Sequence, residues 1–98
     1  MDNNLSKHDE FSKPIYVLAG TGQSRGDFVE FLEKNGFECK TDEITSRESV
    51  IESIFPISID IENKRYGHLH NKTCAAAAVS AGETYTVSQF YKLIELIT

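Results

Sequence analysis

A glycine-rich turn is the first place where this sequence could do chemistry. It reads Gly-Thr-Gly-Gln-Ser-Arg-Gly from position 20 to 26, after an apolar run and before a helical pattern. At a junction of this kind, backbone amides and the positive end of the helix dipole converge on an anion. The glycines let the backbone approach a ligand, and an arginine can make a two-point contact with a phosphate. We therefore expect a phosphate or nucleotide site formed by Gly20, Thr21, Gly22, Ser24, Arg25 and Gly26.

Asp42 extends this candidate ligand site. It lies twenty residues after Gly22, where a dinucleotide-binding fold places the carboxylate that holds a ribose. The turn nevertheless reads GxGxxxG rather than GxGxxG, and the Lys-Ser/Thr pair of a Walker motif does not follow it. The sequence therefore favours a simple anion or nucleotide site over a dinucleotide fold. A glycine-rich turn before a capped helix, with no ligand, explains the same residues.

Two histidines and a cysteine form a second, weaker candidate site. His68 and His70 share one face if their segment is a strand, and Cys74 follows four residues later. Zinc sites in small domains usually take paired ligands from two segments, and the sequence offers no second pair. We therefore predict no metal and no cofactor, and keep these three side chains as weak metal candidates.

The direction of the histidine side chains depends on the turn before them. A turn of two or four residues places His68 and His70 on the same face as Ile57 and Ile59. A turn of three or five residues places Leu69 on that face and directs both histidines to solvent. The second arrangement gives the cleaner apolar pattern, so we favour solvent-facing histidines.

The charge balance limits the partners. The chain has 15 acidic and 10 basic residues, a formal net charge of -5. Tight nucleic-acid binding requires many phosphate-neutralising cations, so this balance argues against it. A basic patch at 64–72 around Tyr66 is an RNA-binding candidate, but in a chain that is acidic overall we favour a charged hairpin that protects an edge strand. The acidic segment 27–52 fits either solvated helices or a surface that docks onto a basic protein.

Composition and cysteine usage indicate an ordinary globular protein. Of the 98 residues, 40% are hydrophobic and 26% are charged, as in one small domain. The start of the chain lacks the basic head and apolar core of a secretory signal. The apolar runs elsewhere in the sequence are too short to span a bilayer. Two cysteines without a CxxC pair predict reduced thiols. We therefore expect a cytoplasmic protein without membrane contact.

The strands that must hold these residues are short apolar or alternating runs. Such runs lie at 15–19, 37–40, 57–61 and 66–70. The last two form a hairpin, and the first two should be parallel because a helix connects them. We expect one small α/β domain over 14–98, after a flexible tail at 1–13. Its mixed sheet has the order β-α-β-α-β-β-(short segment)-α.

Capping residues and apolar spacing predict the helices. The first begins near Ser24, stops at Gly36 and carries an apolar stripe formed by Phe28, Val29, Phe31 and Leu32. Two capping boxes, Thr45–Glu48 and Thr86–Gln89, predict the starts of two further helices. The alanine-rich segment 74–81 fits either a short helix or a tightly packed extended segment.

Two functions remain open from the sequence. The first is a small cytosolic, non-catalytic binding protein that docks onto a protein partner as a regulator or inhibitor. The alternative is a nucleotide- or phosphate-binding protein that uses the turn at 20–26. Such a protein could be a simple binding protein or a small enzyme. No catalytic residue is predicted, because neither cysteine has a base at a recognisable spacing. Pairing of two copies through the hairpin edge or the final helix would give a homodimer.

Overall fold

A five-stranded mixed sheet organises the computed structural model, which describes residues 14–80 and 84–97. In chain order the elements are β1 (Ile15–Leu18), α1 (Gly22–Lys34), β2 (Glu38–Cys39), α2 (Arg47–Glu52), β3 (Ile57–Asp60), β4 (Arg65–His68), α3 (Lys72–Ser80), β5 (Thr84–Thr86) and α4 (Val87–Ile97). The strands lie in the order β2-β4-β3-β1-β5. The predicted α/β class and mixed sheet are confirmed, whereas the predicted tail at 1–13 lies outside the described residues.

The directions of the strands give the sheet one edge at which several loops meet. Strand β3 is antiparallel to both β1 and β4, whereas the pairs β1–β5 and β2–β4 are parallel. Four strands therefore point the same way, and their carboxyl ends lie along one edge, here called the carboxyl edge. Strands β1 and β2 are parallel as predicted, although β3 and β4 separate them. Ligands of open α/β sheets bind most often at such an edge.

The core lies on the face of the sheet that α1, α2 and α4 cover. Helix α1 buries Phe28, Val29 and Leu32 from its predicted stripe against Val17 of β1. The rings of Phe28 and Phe90 meet edge to face, with centroids 5.4 Å apart. Burying each such side chain contributes about 1.5–3 kcal/mol. The apolar spacing of α1 therefore fixes which of its faces lies on the sheet.

The β3–β4 hairpin adopts the register that we did not favour. Four residues, 61–64, form its turn, so Ile57 pairs with His68 and Ile59 pairs with Tyr66. This register places His68 on the same face of the sheet as Ile57 and Ile59, together with Tyr66, whose ring lies in the core. The prediction of solvent-facing histidines is therefore wrong. Tyr66 is completely buried, so it offers no exposed ring on which an RNA base could stack.

The helix boundaries correct two further predictions and decide between the two alternatives for the alanine-rich segment. Helix α1 begins at Gly22 with Thr21 as its N-cap, and not near Ser24. Helix α2 is capped by Ser46 and Ser49, whose side chains each accept a hydrogen bond from the other's backbone N–H. The predicted Thr45–Glu48 box is therefore displaced by one residue. The alanine-rich segment is helical, as α3.

The end of the chain contains one predicted feature, the cap of α4, and one feature that was not predicted, strand β5. The predicted cap of α4 is confirmed, since the backbone of Thr86 donates to Gln89 and the Thr86 hydroxyl accepts from the Gln89 backbone. Strand β5 was not predicted, and it pairs in parallel with β1. Among the described helices, none combines the length and the apolar character that crossing a bilayer requires.

Candidate functional site

The head of α1 lies at the carboxyl edge, directly after β1. Gly20 and Gly22 have φ angles of +74° and +65°, a region that side chains with a Cβ rarely adopt. Residues 20–24 are exposed. The N-cap residue Thr21 makes no side-chain hydrogen bond to the first turn of the helix. The amides of this turn and the helix dipole are therefore presented without a capping side chain.

Arg25 lies beneath this turn and not on its surface. Only 1% of the residue is exposed. Its Nε donates to the carbonyl oxygen of Val50 in α2, and its Nη1 donates to the carbonyl oxygen of Gly20 at 3.1 Å. The predicted two-point contact between this guanidinium and a ligand is therefore not the arrangement that the structure shows. Instead, the side chain ties the turn after β1 to α2.

Within residues 14–80 and 84–97, no carboxylate forms an ion pair with Arg25. The ion pairs of this part of the chain join Lys40 to Asp42 and Arg47 to Glu33. The Nη2 atom of Arg25 is buried and makes no hydrogen bond within the described part of the chain. Burial lowers the pKa of Arg25 to about 10, so the group stays charged at neutral pH. Buried charges in proteins are normally paired, which makes this one a candidate anion-binding group.

The two histidines form the second part of the site, at the end of β4. The rings of His68 and His70 are tilted against each other, with centroids 4.4 Å apart. His68 Nδ1 donates to the carbonyl oxygen of Leu69 at 2.8 Å, and its Nε2 lies 3.3 Å from Ser49 Oγ. His70 Nε2 lies 3.1 Å from Thr45 Oγ1. Both imidazoles are half-buried and hydrogen-bonded to hydroxyl groups.

The environment of His68 holds it in the neutral form at pH 7. Burial is the main cause that lowers the pKa of His68, and the charge of Arg25 lowers it further. The Leu69 carbonyl and the charge of Asp42 act in the opposite direction. Arg25 and His68 also contact consecutive residues of α2, Val50 and Ser49. Helix α2 therefore joins the two parts of the site.

Asp42 is engaged in its own loop after β2. Its Oδ1 accepts hydrogen bonds from the backbone of Ile44 at 2.9 Å and of Thr45 at 2.8 Å. Its Oδ2 lies 3.5 Å from Lys40 Nζ. These hydrogen bonds and the Lys40 charge lower the pKa of Asp42. The carboxylate shares the carboxyl edge with the glycine turn, and its hydrogen bonds and ion pair lie within its own loop. Its predicted role in holding a ribose stays a prediction.

The metal candidates do not assemble into a cluster. Cys74 lies in the first turn of α3, where its backbone N–H donates to the side chain of Asn71. In residues 14–80 and 84–97, no group of three His, Cys, Asp or Glu side chains is arranged to hold a metal ion. Both cysteines are free thiols, and burial is the main cause that raises the pKa of Cys39.

Sequence reasoning missed the burial of Arg25 and the hydroxyl groups that contact the histidines. A signal for the first was present, because Arg25, Phe28, Val29 and Leu32 follow the i, i+3, i+4, i+7 spacing of one helix face. Gly26 does not belong to this i, i+3, i+4, i+7 series and is partly exposed. Comparison of the chain with protein-family models, with curated proteins and with solved structures gives no match, so the site is interpreted from its geometry.

Proposed function

We propose that this protein binds a small ligand through a phosphate group, or another dianion of that shape, at the head of α1. This is the ligand-binding alternative from the sequence. One observation carries it: a buried arginine that pairs with no carboxylate of the described residues lies beneath an exposed helix N-terminus whose N-cap side chain makes no capping hydrogen bond. A bound anion would supply a negative charge beside this arginine.

Energetics support an anion at this position. Removing a cation from water costs several kcal/mol in a real protein, and the hydrogen bonds to Gly20 and Val50 offset that cost in part. A helix N-terminus stabilises a nearby negative charge by about 0.3–1 kcal/mol when exposed. Hydrogen bonds from backbone amides to a charged oxygen contribute about 1.5–3 kcal/mol each. The buried cation, the helix N-terminus and the backbone amides therefore all favour a negatively charged ligand.

In this proposal the arginine acts from below the turn. Its Nη1 lies 3.1 Å from the Gly20 carbonyl oxygen, so the buried guanidinium contacts the start of the exposed segment 20–24. The amides contact the ligand, and Arg25 raises the electrostatic potential at that position through protein of low polarity. Shape selectivity for a tetrahedral anion then comes from the backbone of the turn.

Substitution of Ser24 by glutamate tests the proposal. Ser24 is exposed in the first turn of α1, and its Cβ faces Gly20. A carboxylate near a helix N-terminus stabilises the helix by about 0.3–1 kcal/mol, but it repels an incoming anion. We therefore expect Ser24→Glu to bind inorganic phosphate at least about tenfold more weakly in isothermal titration calorimetry, without a fall in melting temperature.

The matched control is Lys92→Gln, at an exposed lysine of α4. It makes the net charge more negative by one unit, as Ser24→Glu does. Lys92 lies in the middle of α4, outside the first turn of that helix. Its phosphate affinity should stay close to that of the unmodified chain. Equal affinity in Ser24→Glu and the control, or no binding of phosphate by the unmodified chain at tens of millimolar, would exclude an anion site at this turn.

The docking function predicted from the acidic composition stays a prediction. Helix α4 exposes Leu96, at 84%, and Ile97 next to it. Nothing in the described residues identifies what would cover these side chains. The anion site therefore remains the function that the geometry supports best.

A further inference from the structure

We infer that His68 is a proton-linked part of the anion site: its imidazole takes up a proton when a dianion binds at the head of α1. Binding of the anion should then strengthen as the pH falls. This inference rests on the function proposed above and specifies how that site is regulated. The proton comes from solvent and adds to Nε2, because Nδ1 already carries the hydrogen that is donated to the Leu69 carbonyl.

The geometry leaves a place for this proton. His68 Nε2 faces Ser49 Oγ at 3.3 Å, and a hydroxyl oxygen can accept a hydrogen bond from a protonated imidazole. The Leu69 carbonyl fixes the ring through Nδ1 at 2.8 Å. The imidazole can therefore gain a proton without losing either contact or changing its orientation.

The charges around His68 explain why the proton is absent until an anion binds. Arg25 contacts Val50 of α2, His68 contacts the preceding residue Ser49, and the ring of His70 lies beside that of His68. The buried charge of Arg25 lowers the pKa of His68, whereas the charge of Asp42, which lies 3.5 Å from Lys40 Nζ, raises it. A second positive charge on His68 would therefore add to the buried charge of Arg25, with which no carboxylate in residues 14–80 and 84–97 forms an ion pair. A dianion at the head of α1 offsets this positive charge.

Linkage makes the effect reciprocal. If a bound anion favours protonation of His68, protonation of His68 favours the anion by the same factor. Burial and the Arg25 charge hold the pKa of His68 below its usual value of 6.5 in the free protein, which leaves room for an upward shift. The change in affinity should therefore fall in the mildly acidic range.

Sulfate is the probe that isolates this effect. Sulfate keeps two charges between pH 5.5 and 7.5, whereas phosphate changes its own charge there. We expect the dissociation constant of sulfate to fall at least about fivefold from pH 7.5 to 5.5, a typical size for coupled sites. The variant His68→Gln should bind sulfate but lose most of this dependence. His8→Gln, at the third histidine of the chain, is the control and should retain it.

A small residual slope is expected in every variant, because the whole chain becomes less negative in acid. Carbon-bound proton resonances of the His68 ring, followed with and without saturating sulfate, provide a reading that does not depend on the variant folding. Their titration midpoint should move upward with sulfate. Sulfate binding with an unchanged midpoint and equal slopes in His68→Gln and His8→Gln would overturn this inference and leave the proposed function intact. Absence of sulfate binding at both pH values would overturn both.

Discussion

Replacing Arg25 with methionine separates the stability of the fold from the charge of the site. The substitution removes hydrogen bonds to Val50 and Gly20, each contributing about 1.5–3 kcal/mol because the donor is charged. It also removes the desolvation penalty of an unpaired buried cation, which amounts to several kcal/mol. The two effects oppose each other. We therefore expect the free energy of unfolding to change by no more than about 2 kcal/mol.

Anion affinity should respond much more strongly to the same substitution. A unit charge about 8 Å from a single negative charge, at an effective dielectric constant of about 20, contributes about 2 kcal/mol to binding, and from a dianion about twice that. The dissociation constant of phosphate should therefore rise at least roughly thirtyfold in Arg25→Met. The helix amides remain, so weak binding should persist.

Two assays check this prediction. Urea denaturation followed by circular dichroism gives the free energy of unfolding, and calorimetric titration gives the affinity for phosphate. Arg65→Met is the matched control, because Arg65 is exposed at the start of β4, away from the carboxyl edge. Phosphate affinity in Arg25→Met equal to that in Arg65→Met would refute the assignment of the buried charge to the site.

Two further predictions concern stability. Tyr66→Phe removes a hydroxyl that donates to the charged carboxylate of Glu33 at 2.8 Å and should lower the free energy of unfolding by about 1.5 kcal/mol in urea, whereas Tyr91→Phe at an exposed ring should not. The pKa of His68 is lower in the folded protein than in the unfolded chain, so His68 takes up a proton in the unfolded chain at a higher pH than in the folded protein. Stability should therefore fall as the pH drops below about 6.5, and His68→Gln should reduce that fall in urea denaturation at pH 5.5 against pH 7.5.

Local pattern was sufficient where a single element decided its own structure. The stripe of Phe28, Val29 and Leu32 gave the buried face of α1, and Gly36, with a φ of +88°, marks the end of that helix. The Thr86–Gln89 pair placed the start of α4 for the same reason. Each of these signals acts within one or two helical turns, and the packing around these helices agrees with it.

Contacts between distant segments account for what the sequence did not predict. Three residues of β5 form a strand because β1 supplies their partners, a pairing that spans most of the chain. The turn at 61–64 set the hairpin register, and the apolar character of Leu69 pointed to the wrong one. Serine is a better N-cap residue than threonine, and the hydroxyl of Thr45 contacts the distant His70 while Ser46 caps the helix.

The burial of Arg25 shows the same limit within the site. Its spacing placed it on the core face of α1, but its charge predicted a surface position. The carbonyl oxygens of Gly20 and Val50, which come from two other segments, make burial possible. A sequence pattern gives the face of a helix, but it does not show which distant acceptors that face will meet.

The most direct test of the anion site is an amide map of the chain during titration with inorganic phosphate. In two-dimensional ¹⁵N–¹H spectra at pH 6.5, we expect the largest saturable shifts at residues 20–26, with smaller shifts around His68. Shifts centred on α4 or on the β3–β4 turn, or no saturable shift at 20–26 up to tens of millimolar phosphate, would contradict the account.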